Sequence, residues 1–448
     1  MSSKRNVLLI NPWIYDFTAY DFWLKPLGLL YLAALLRKYT DFSLYFIDCL
    51  DRYHPLLDKK PRSKADGRGH FFKEEVSKPH VLEKIPRKFS RYGIPLPLFV
   101  YDLDRIPRPD LVLLTCTMTY WYPGVQIVVE VLRKKYGSVP IILGGVYPTL
   151  MLQHALKETG VDLVCQGPGE RKIFDLIKDV LGDRTCPSLR FESLDEIPTP
   201  AFDFLRDRSS LPLLTSRGCP LSCSFCASSL LYPQFEQRSV ISVSRELENI
   251  WELYQPKNIS FYDDALLLNK KNHILPILKE IIDKNFLWEF HTPNGLHVNE
   301  IDQEMATLLK LTGFRSLYLS QETFDEDLIK QSCPKVTSDG LGKALNHLEI
   351  AGFDRKKINV YLIVGIPGQN ISGVEKSILQ VRQLGAQPRL AYFSPIPGTA
   401  DWEKLITEGY IDRNADPLLH NKLVFSYRWR DLPQVEIENL KSSTLPRI

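Results

Sequence analysis

Short, wholly apolar runs separated by amphipathic stretches dominate the first part of the chain. The runs cover residues 7–10, 44–47, 111–114, 141–143 and 161–164; helical patterns cover residues 27–39, 125–135 and 150–158. Strands that are apolar on both faces and alternate with helices predict a parallel sheet covered on both sides. Right-handed crossovers then give a doubly wound, Rossmann-like sheet whose ligand crevice lies at the carboxyl ends of its strands. Polar and glycine-rich loops fall at those ends: Asn11-Pro12-Trp13, the segment with Thr115, Thr117, Thr119 and Tyr120, Gly144-Gly145-Val146, and Gln166-Gly167-Pro-Gly-Glu170. Glycines let a backbone approach a ligand closely, and free amides hold anionic or amide groups. A plain strand-to-helix turn explains any one of these loops equally well, but several on one edge favour a ligand.

Residues 51–108 interrupt the alternation. They are rich in proline and in basic residues (Lys59, Lys60, Arg62, Lys64, Arg68, Lys84, Arg87, Lys88, Arg91), with weak periodicity. A long irregular insertion is usually functional or disordered. A solvated basic surface is the plainer reading; a lid or a docking site for an anionic partner is the functional one. After a proline-bearing connector at 186–210, strands recur at 211–214, 259–262, 288–291, 317–319, 360–364 and 390–393. Helical patterns at 243–254, 274–283, 305–311, 341–350 and 374–384 separate them. Six βα units predict a partial (β/α)6 TIM-type barrel, short of the eight that close one. The expected domains are therefore residues 1–185 and a barrel at 211–415, with a tail at 416–448 packed on the barrel.

Composition narrows the function. A formal charge of +3 over 448 residues supplies no basic field for nucleic acid. The longest strongly apolar stretch, residues 27–36, is about half the ~20 residues a membrane helix needs. The apolar run at 7–10 stops at Asn11-Pro12 and is too short for a signal peptide. The expectation is a cytoplasmic protein with neither a membrane span nor a nucleic-acid partner.

Eight cysteines in so long a chain are no disulfide scaffold. Cys49, Cys116, Cys165, Cys186 and Cys333 are scattered, whereas Arg217-Gly218-Cys219-Pro-Leu-Ser-Cys223-Ser-Phe225-Cys226 places three thiols just after the first barrel strand. Structural zinc takes four ligands, commonly in paired spacings, and no histidine is near. Three thiolates instead suit an iron–sulfur cubane with one iron left open. The spacing Cys-x-x-x-Cys-x-x-Cys, with an aromatic residue before the last cysteine, resembles the signature of the radical S-adenosylmethionine (SAM) superfamily. That resemblance implies a [4Fe–4S] cluster on Cys219, Cys223 and Cys226, whose open iron takes the amino and carboxylate groups of SAM. It implies SAM contacts from Phe225 and from the loops after the later strands: Asp263 and Asp264, Asn294, Glu322, Gly365 and Pro367, Ser394 and Pro395. Glu375 fits instead a capping box with Ser372.

The chain lacks the Gly-Gly-Glu that many superfamily members carry after the second strand. Its Asp263-Asp264 resembles the subgroup in which the barrel is joined to a cobalamin-binding domain. Residues 25–33, including Leu27 and Gly28, are similar to the first helix of that domain. Corrin contacts are then implied for Pro12, Trp13, Leu27, Gly28, Thr115, Thr117, Thr119, Tyr120, Gly144, Gly145, Val146, Gln166, Gly167 and Glu170. One departure stands out: where many cobalamin proteins have Asp-x-His-x-x-Gly, this loop reads Asn11-Pro-Trp-Ile-Tyr-Asp-Phe17, without histidine.

These resemblances imply a cobalamin-dependent radical SAM methyltransferase acting on an unactivated carbon or a phosphinate of a small-molecule or peptide substrate. An electron donor such as flavodoxin or ferredoxin is implied with it. A radical rearrangement or cyclisation on the same cofactors, and a non-catalytic iron–sulfur or cobalamin sensor, are the alternatives.

Overall fold

In a computed structural model, described for residues 4–59, 61–182, 186–428, 435, 439 and 440, the chain divides into units Met1–Arg208 and Ser209–Ile448. Lys60, the expected boundary at 183–185 and most of the tail beyond 428 lie outside the described residues.

The first unit runs β1 (Asn6–Asn11), β2 (Ile14–Asp16), α1 (Leu27–Tyr39), β3 (Ser43–Asp48), β4 (Lys73–Glu75), β5 (Ser90–Tyr92), α2 (Leu96–Asp104), β6 (Leu111–Thr115), α3 (Tyr122–Tyr136), β7 (Ile141–Gly144), α4 (Val146–Leu150), α5 (Leu152–Glu158), β8 (Leu163–Val164) and α6 (Ile173–Leu181). Its main sheet has the order β3-β1-β6-β7-β8, parallel throughout. Val7, Leu8, Leu9 and Ile10 are all fully buried, as a central strand covered on both faces requires. Val7 and Leu9 pack with Leu29, Ala33 and Leu36 of α1 and with Ile173, Phe174 and Ile177 of α6. The strand order reverses between β1 and β6, which places the ligand crevice at Asn11 and Thr115.

The insertion at 51–108 exposes most of the basic residues named above, Lys59, Arg62, Lys64, Lys84 and Lys88 among them, but part of it is ordered structure. Strands β2, β5 and β4 form a small antiparallel sheet, with Ile14, Leu50, Phe71 and Tyr92 as its own apolar cluster. Arg52 is enclosed: its Nε donates to Asp21 at 2.8 Å and its terminal nitrogens to Ser63 Oγ and the Gly67 carbonyl. The stretch read as a connector also packs into this unit. Cys186, Phe191 and Ala201 join the sheet's core, and Arg37 holds Asp203 through two bonds.

The second unit runs β9 (Ser210–Leu213), β10 (Ser216–Arg217), α7 (Ser228–Leu231), β11 (Glu236–Gln237), α8 (Val240–Leu253), β12 (Asn258–Phe261), α9 (Ile274–Asp283), β13 (Glu289–His291), β14 (Leu296–His297), α10 (Gln303–Leu311), β15 (Phe314–Ser316), β16 (Tyr318–Glu322), α11 (Glu326–Ser332), α12 (Gly340–Ile350), β17 (Asn359–Val364), α13 (Ile371–Gln383), β18 (Gln387–Tyr392), α14 (Ala400–Thr407) and α15 (Lys422–Arg428). Six βα repeats give two parallel four-stranded sheets, β15-β13-β12-β9 and β14-β16-β17-β18. The expected fourth strand is split at Leu317: β15 pairs with β13, and β16 with β14 and β17. Side-chain caps set the helix starts: Ser239 accepts from Ser242 N, and Asp302 from Met305 N. Asn370, not Ser372, caps α13, because its side chain reaches the Gly373 amide, so the expected Ser372–Glu375 box does not form. The chain after β18 packs on this unit through Phe393 and Phe425.

Candidate functional site

The three clustered cysteines lie on one loop at the carboxyl end of β9. Gly218, at φ +79°, turns the chain into that loop, and a Cβ there would lie 2.9 Å from the Gln234 carbonyl oxygen. Strands β10 and β11 pair across the base of the loop. Its rim is pinned by backbone: Ser224 N donates to the Ser332 carbonyl at 3.1 Å, and Asp401 N to the Ser224 carbonyl at 3.0 Å.

Asp263 and Asp264 hold the loop from below. Asp263, expected as a SAM contact, turns inward instead. It is 3 % exposed and accepts from Thr215 N, Thr215 Oγ1 and Ser216 Oγ, the residues that lead into the loop. Burial pushes its carboxyl up to about 6, against those bonds. Asp264 accepts from Ser228 Oγ at 2.6 Å, and Ser228 N in turn faces Cys226 Sγ at 3.4 Å. Asn294 ties the next loop down, donating to the Tyr262 and Asp263 carbonyls.

Cys226 is exposed and Cys219 and Cys223 partly so, while Cys333, remote in sequence, returns beside them fully buried. Burial pushes the Cys223 thiol up to about 12, with Lys335 opposing and Cys226 and Glu322 reinforcing the rise. Among the described residues no three His, Cys, Asp or Glu side chains are arranged to hold one metal ion. Three reachable thiols that do not converge on a point suit a cubane, in which each thiolate takes its own iron, better than zinc.

Glu322 ends β16 with φ +62°, a conformation costly for any residue with a side chain, at a register shift against β17. Its carboxylate meets Lys335 Nζ at 2.8 Å, with the two side chains 9 % and 12 % exposed. Burial alone would lower the Lys335 ammonium, but Glu322 and Cys223 hold it above its ordinary value. His297 is pushed down to about 4 by burial and by Lys335, so its imidazole is neutral at pH 7. Lys335, His297 and Cys333 were not singled out from the sequence as site residues. The first and last come from the turn between α11 and α12, where no local pattern marks them. Gly365 N donates to Gln369 Oε1, closing its loop with Pro367, and Ser394 Oγ, next to Pro395, donates to the His420 carbonyl. Phe225 is half-buried between two of the cysteines.

In the first unit, Asn11, Pro12, Thr115, Cys116 and Thr117 line the cleft at the β1/β6 reversal, with Lys25 and Pro26 at its edge. Gly145 stands over it at φ +102°, where a Cβ would lie 2.6 Å from the Cys116 carbonyl oxygen. Gly28 is exposed, and Thr149 Oγ1 accepts from Gly167 N while its carbonyl accepts from Gln166. Val146 is half-buried at the start of α4, and Leu27 and Glu170 are buried. Trp13 also lines this cleft, with its side chain almost wholly buried. Its indole donates to the Ile94 carbonyl and packs edge-on against Phe99, both from the insertion. Thr119 and Tyr120 are likewise buried. The unit's histidines sit elsewhere: His54 against Asp102, His70 against Tyr20, His154 on Tyr147, and His80 in the insertion.

Residues 213–381 match the Radical SAM superfamily and residues 102–176 the B12 binding domain. The chain is 26% identical over 459 residues to the "Uncharacterized methyltransferase PH0819" of Pyrococcus horikoshii, covering 94% of this chain and 85% of that one. Cytidylyl-2-hydroxyethylphosphonate methyltransferase of Streptomyces wedmorensis is 23% identical, over 91% and 83% of the two chains. Among solved structures, the radical SAM methyltransferase TsrM of Kitasatospora setae, with cobalamin and a [4Fe–4S] cluster bound, matches with a TM-score of 0.69. The match covers 99% of this chain and 92% of that one at 14% identity, a likeness of fold. No helix among the described residues is long and apolar enough to cross a membrane.

Proposed function

We propose that the chain is a cobalamin-dependent radical SAM methyltransferase acting on an unactivated carbon or a phosphinate, its B12-binding match lying ahead of its radical SAM match. The observation that carries this reading is the loop of three reachable thiols at the carboxyl end of the barrel's first strand, the end at which such folds build their sites. Cys219, Cys223 and Cys226 would hold the cluster. Phe225, Asp264, Asn294, Glu322, Gly365, Pro367, Ser394 and Pro395 would line the SAM site. When bound, the cluster and SAM supply a radical able to remove hydrogen from an unactivated carbon, and the corrin supplies a transferable methyl group.

The chain's own contribution is placement. Asp263 fixes the strand end from which the thiol loop springs, and Asp264 fixes Ser228 just beyond Cys226. In the first unit, Gly144, Gly145, Gln166 and Gly167 would offer backbone to the corrin and its tail. Thr115, Thr117, Pro12, Val146, Leu27 and Gly28 would complete that site. The loop after β1 contains no histidine that it would offer to a bound corrin.

Anaerobic incubation of the reconstituted protein with SAM and a low-potential reductant tests the reading. It predicts both 5′-deoxyadenosine and S-adenosylhomocysteine from the wild type, and no 5′-deoxyadenosine from Cys223→Ala. Only 5′-deoxyadenosine, with cobalamin retained, would overturn methyl transfer in favour of rearrangement or cyclisation.

A further inference from the structure

We propose that Lys335 and Glu322 form a fixed charge couple that sets how readily a cluster on Cys219, Cys223 and Cys226 accepts an electron. This rests on the radical SAM reading above. The couple is enclosed, its two charged groups 2.8 Å apart and each side chain about a tenth exposed or less. It stands beside the thiol loop. The bond from Ser224 N to the Ser332 carbonyl joins the peptide group after Cys223 to the peptide group before Cys333, and Lys335 follows two residues on. Asn299 steadies that turn by donating to the Lys335 carbonyl at 3.1 Å.

A purely structural salt bridge is a poor explanation of this arrangement. Enclosing two charges costs more desolvation than their attraction returns in many proteins, and an apolar pair of the same volume often does better. Here the fold also accepts a left-handed backbone at Glu322 to bring its carboxylate in. The two charges are not equivalent toward the loop. Toward Cys223 and Cys226 the Lys335 charge outweighs that of Glu322, which acts in the opposite sense. The positive end therefore dominates at the loop. The other charged groups beside the thiol loop are Asp264, tied to Ser228, and Asp401, whose amide donates to the Ser224 carbonyl.

One electron passing from a low-potential donor, such as reduced flavodoxin or dithionite, makes a thiolate-bound cluster more negative by one charge. A cation held nearby in a medium poorer than water in screening favours that reduced form, and an anion opposes it. Lys335 thus raises the midpoint, and Glu322 trims the rise.

The test is a redox titration of the reconstituted full chain without SAM, followed by electron paramagnetic resonance of the reduced cluster, with iron and sulfide counted in every variant. Lys335→Gln should move the midpoint to more negative values and Glu322→Gln to more positive ones, with Lys335→Arg close to wild type. The double variant Lys335→Gln/Glu322→Gln leaves no unpaired buried charge and should titrate between wild type and Lys335→Gln, which keeps the test open if a single variant fails to fold. A wild-type protein that assembles no [4Fe–4S] cluster refutes the functional reading itself. A cluster that assembles but titrates identically in wild type and double variant overturns the charge couple alone. So does a Lys335→Gln protein that binds SAM more weakly at an unchanged midpoint, which would make Lys335 a SAM ligand instead.

Discussion

Removing the Asp263 carboxylate should unfasten the thiol loop, and the size of the effect follows from its contacts. Asp263→Ala strands the Thr215 amide and the Ser216 hydroxyl in a buried site, while the Thr215 hydroxyl keeps His273 as a partner at 2.8 Å. At about 1–3 kcal/mol for each stranded group, the loss is about 4 kcal/mol. Asp263→Asn keeps the shape and an acceptor, and it removes a charge that burial disfavours. Burial raises the carboxyl from 3.8 to about 6, so the folded chain holds this proton more tightly than the unfolded one. The group's contribution to stability is therefore complete below about pH 4 and is lost as pH rises through 6. At about 1.4 kcal/mol per pH unit the loss amounts to about 3 kcal/mol. Relative to wild type, Asp263→Asn should accordingly gain about 3 kcal/mol between pH 4 and pH 7.5. Urea unfolding of the full chain at both pH values, followed by far-ultraviolet circular dichroism, measures both figures. An Asp263→Ala protein within about 0.5 kcal/mol of wild type, retaining its iron, would refute the anchoring role and return Asp263 to the ligand side of the site.

Three further substitutions probe the remaining assignments. Gly145→Ala drives a Cβ into the Cys116 carbonyl at a left-handed φ; it should cost about 2–3 kcal/mol and lower the thermal midpoint by several degrees in differential scanning calorimetry. Arg52→Ala leaves Asp21 enclosed without its cation and should cost about 3–5 kcal/mol by urea unfolding, with Asp21→Asn/Arg52→Met recovering part of it. Cys333→Ala should keep the full iron content by colorimetric assay while Cys223→Ala loses it, because only the motif thiols are reachable.

The strands and helices that form the scaffold were legible because each obeys a local rule. Val7, Leu8, Leu9 and Ile10 are apolar on both faces, and Ser239 and Asp302 carry the side chains that caps require. The insertion was not legible, since β4 consists of exposed Lys73, Glu74 and Glu75. Its order comes from distant partners such as Arg52 with Asp21 and Trp13 with Ile94. The three cysteines announced themselves by spacing. The Lys335–Glu322 couple did not, because it arises only when the turn after α11 folds back beside Cys223. Trp13 and Asp263 occupy strand-end positions suited to a ligand, and each also makes a buried hydrogen bond that no local pattern reveals.

Loading the purified protein anaerobically with iron, sulfide and hydroxocobalamin, desalting it, and counting bound corrin and iron per chain decides whether one chain holds both cofactors. A two-cofactor enzyme retains about one corrin, with an absorbance spectrum free of a protein imidazole ligand, and about four irons that Cys223→Ala cannot retain. A protein that holds its irons and still cleaves SAM yet keeps no corrin would contradict it, leaving a radical SAM enzyme whose first unit serves some other purpose.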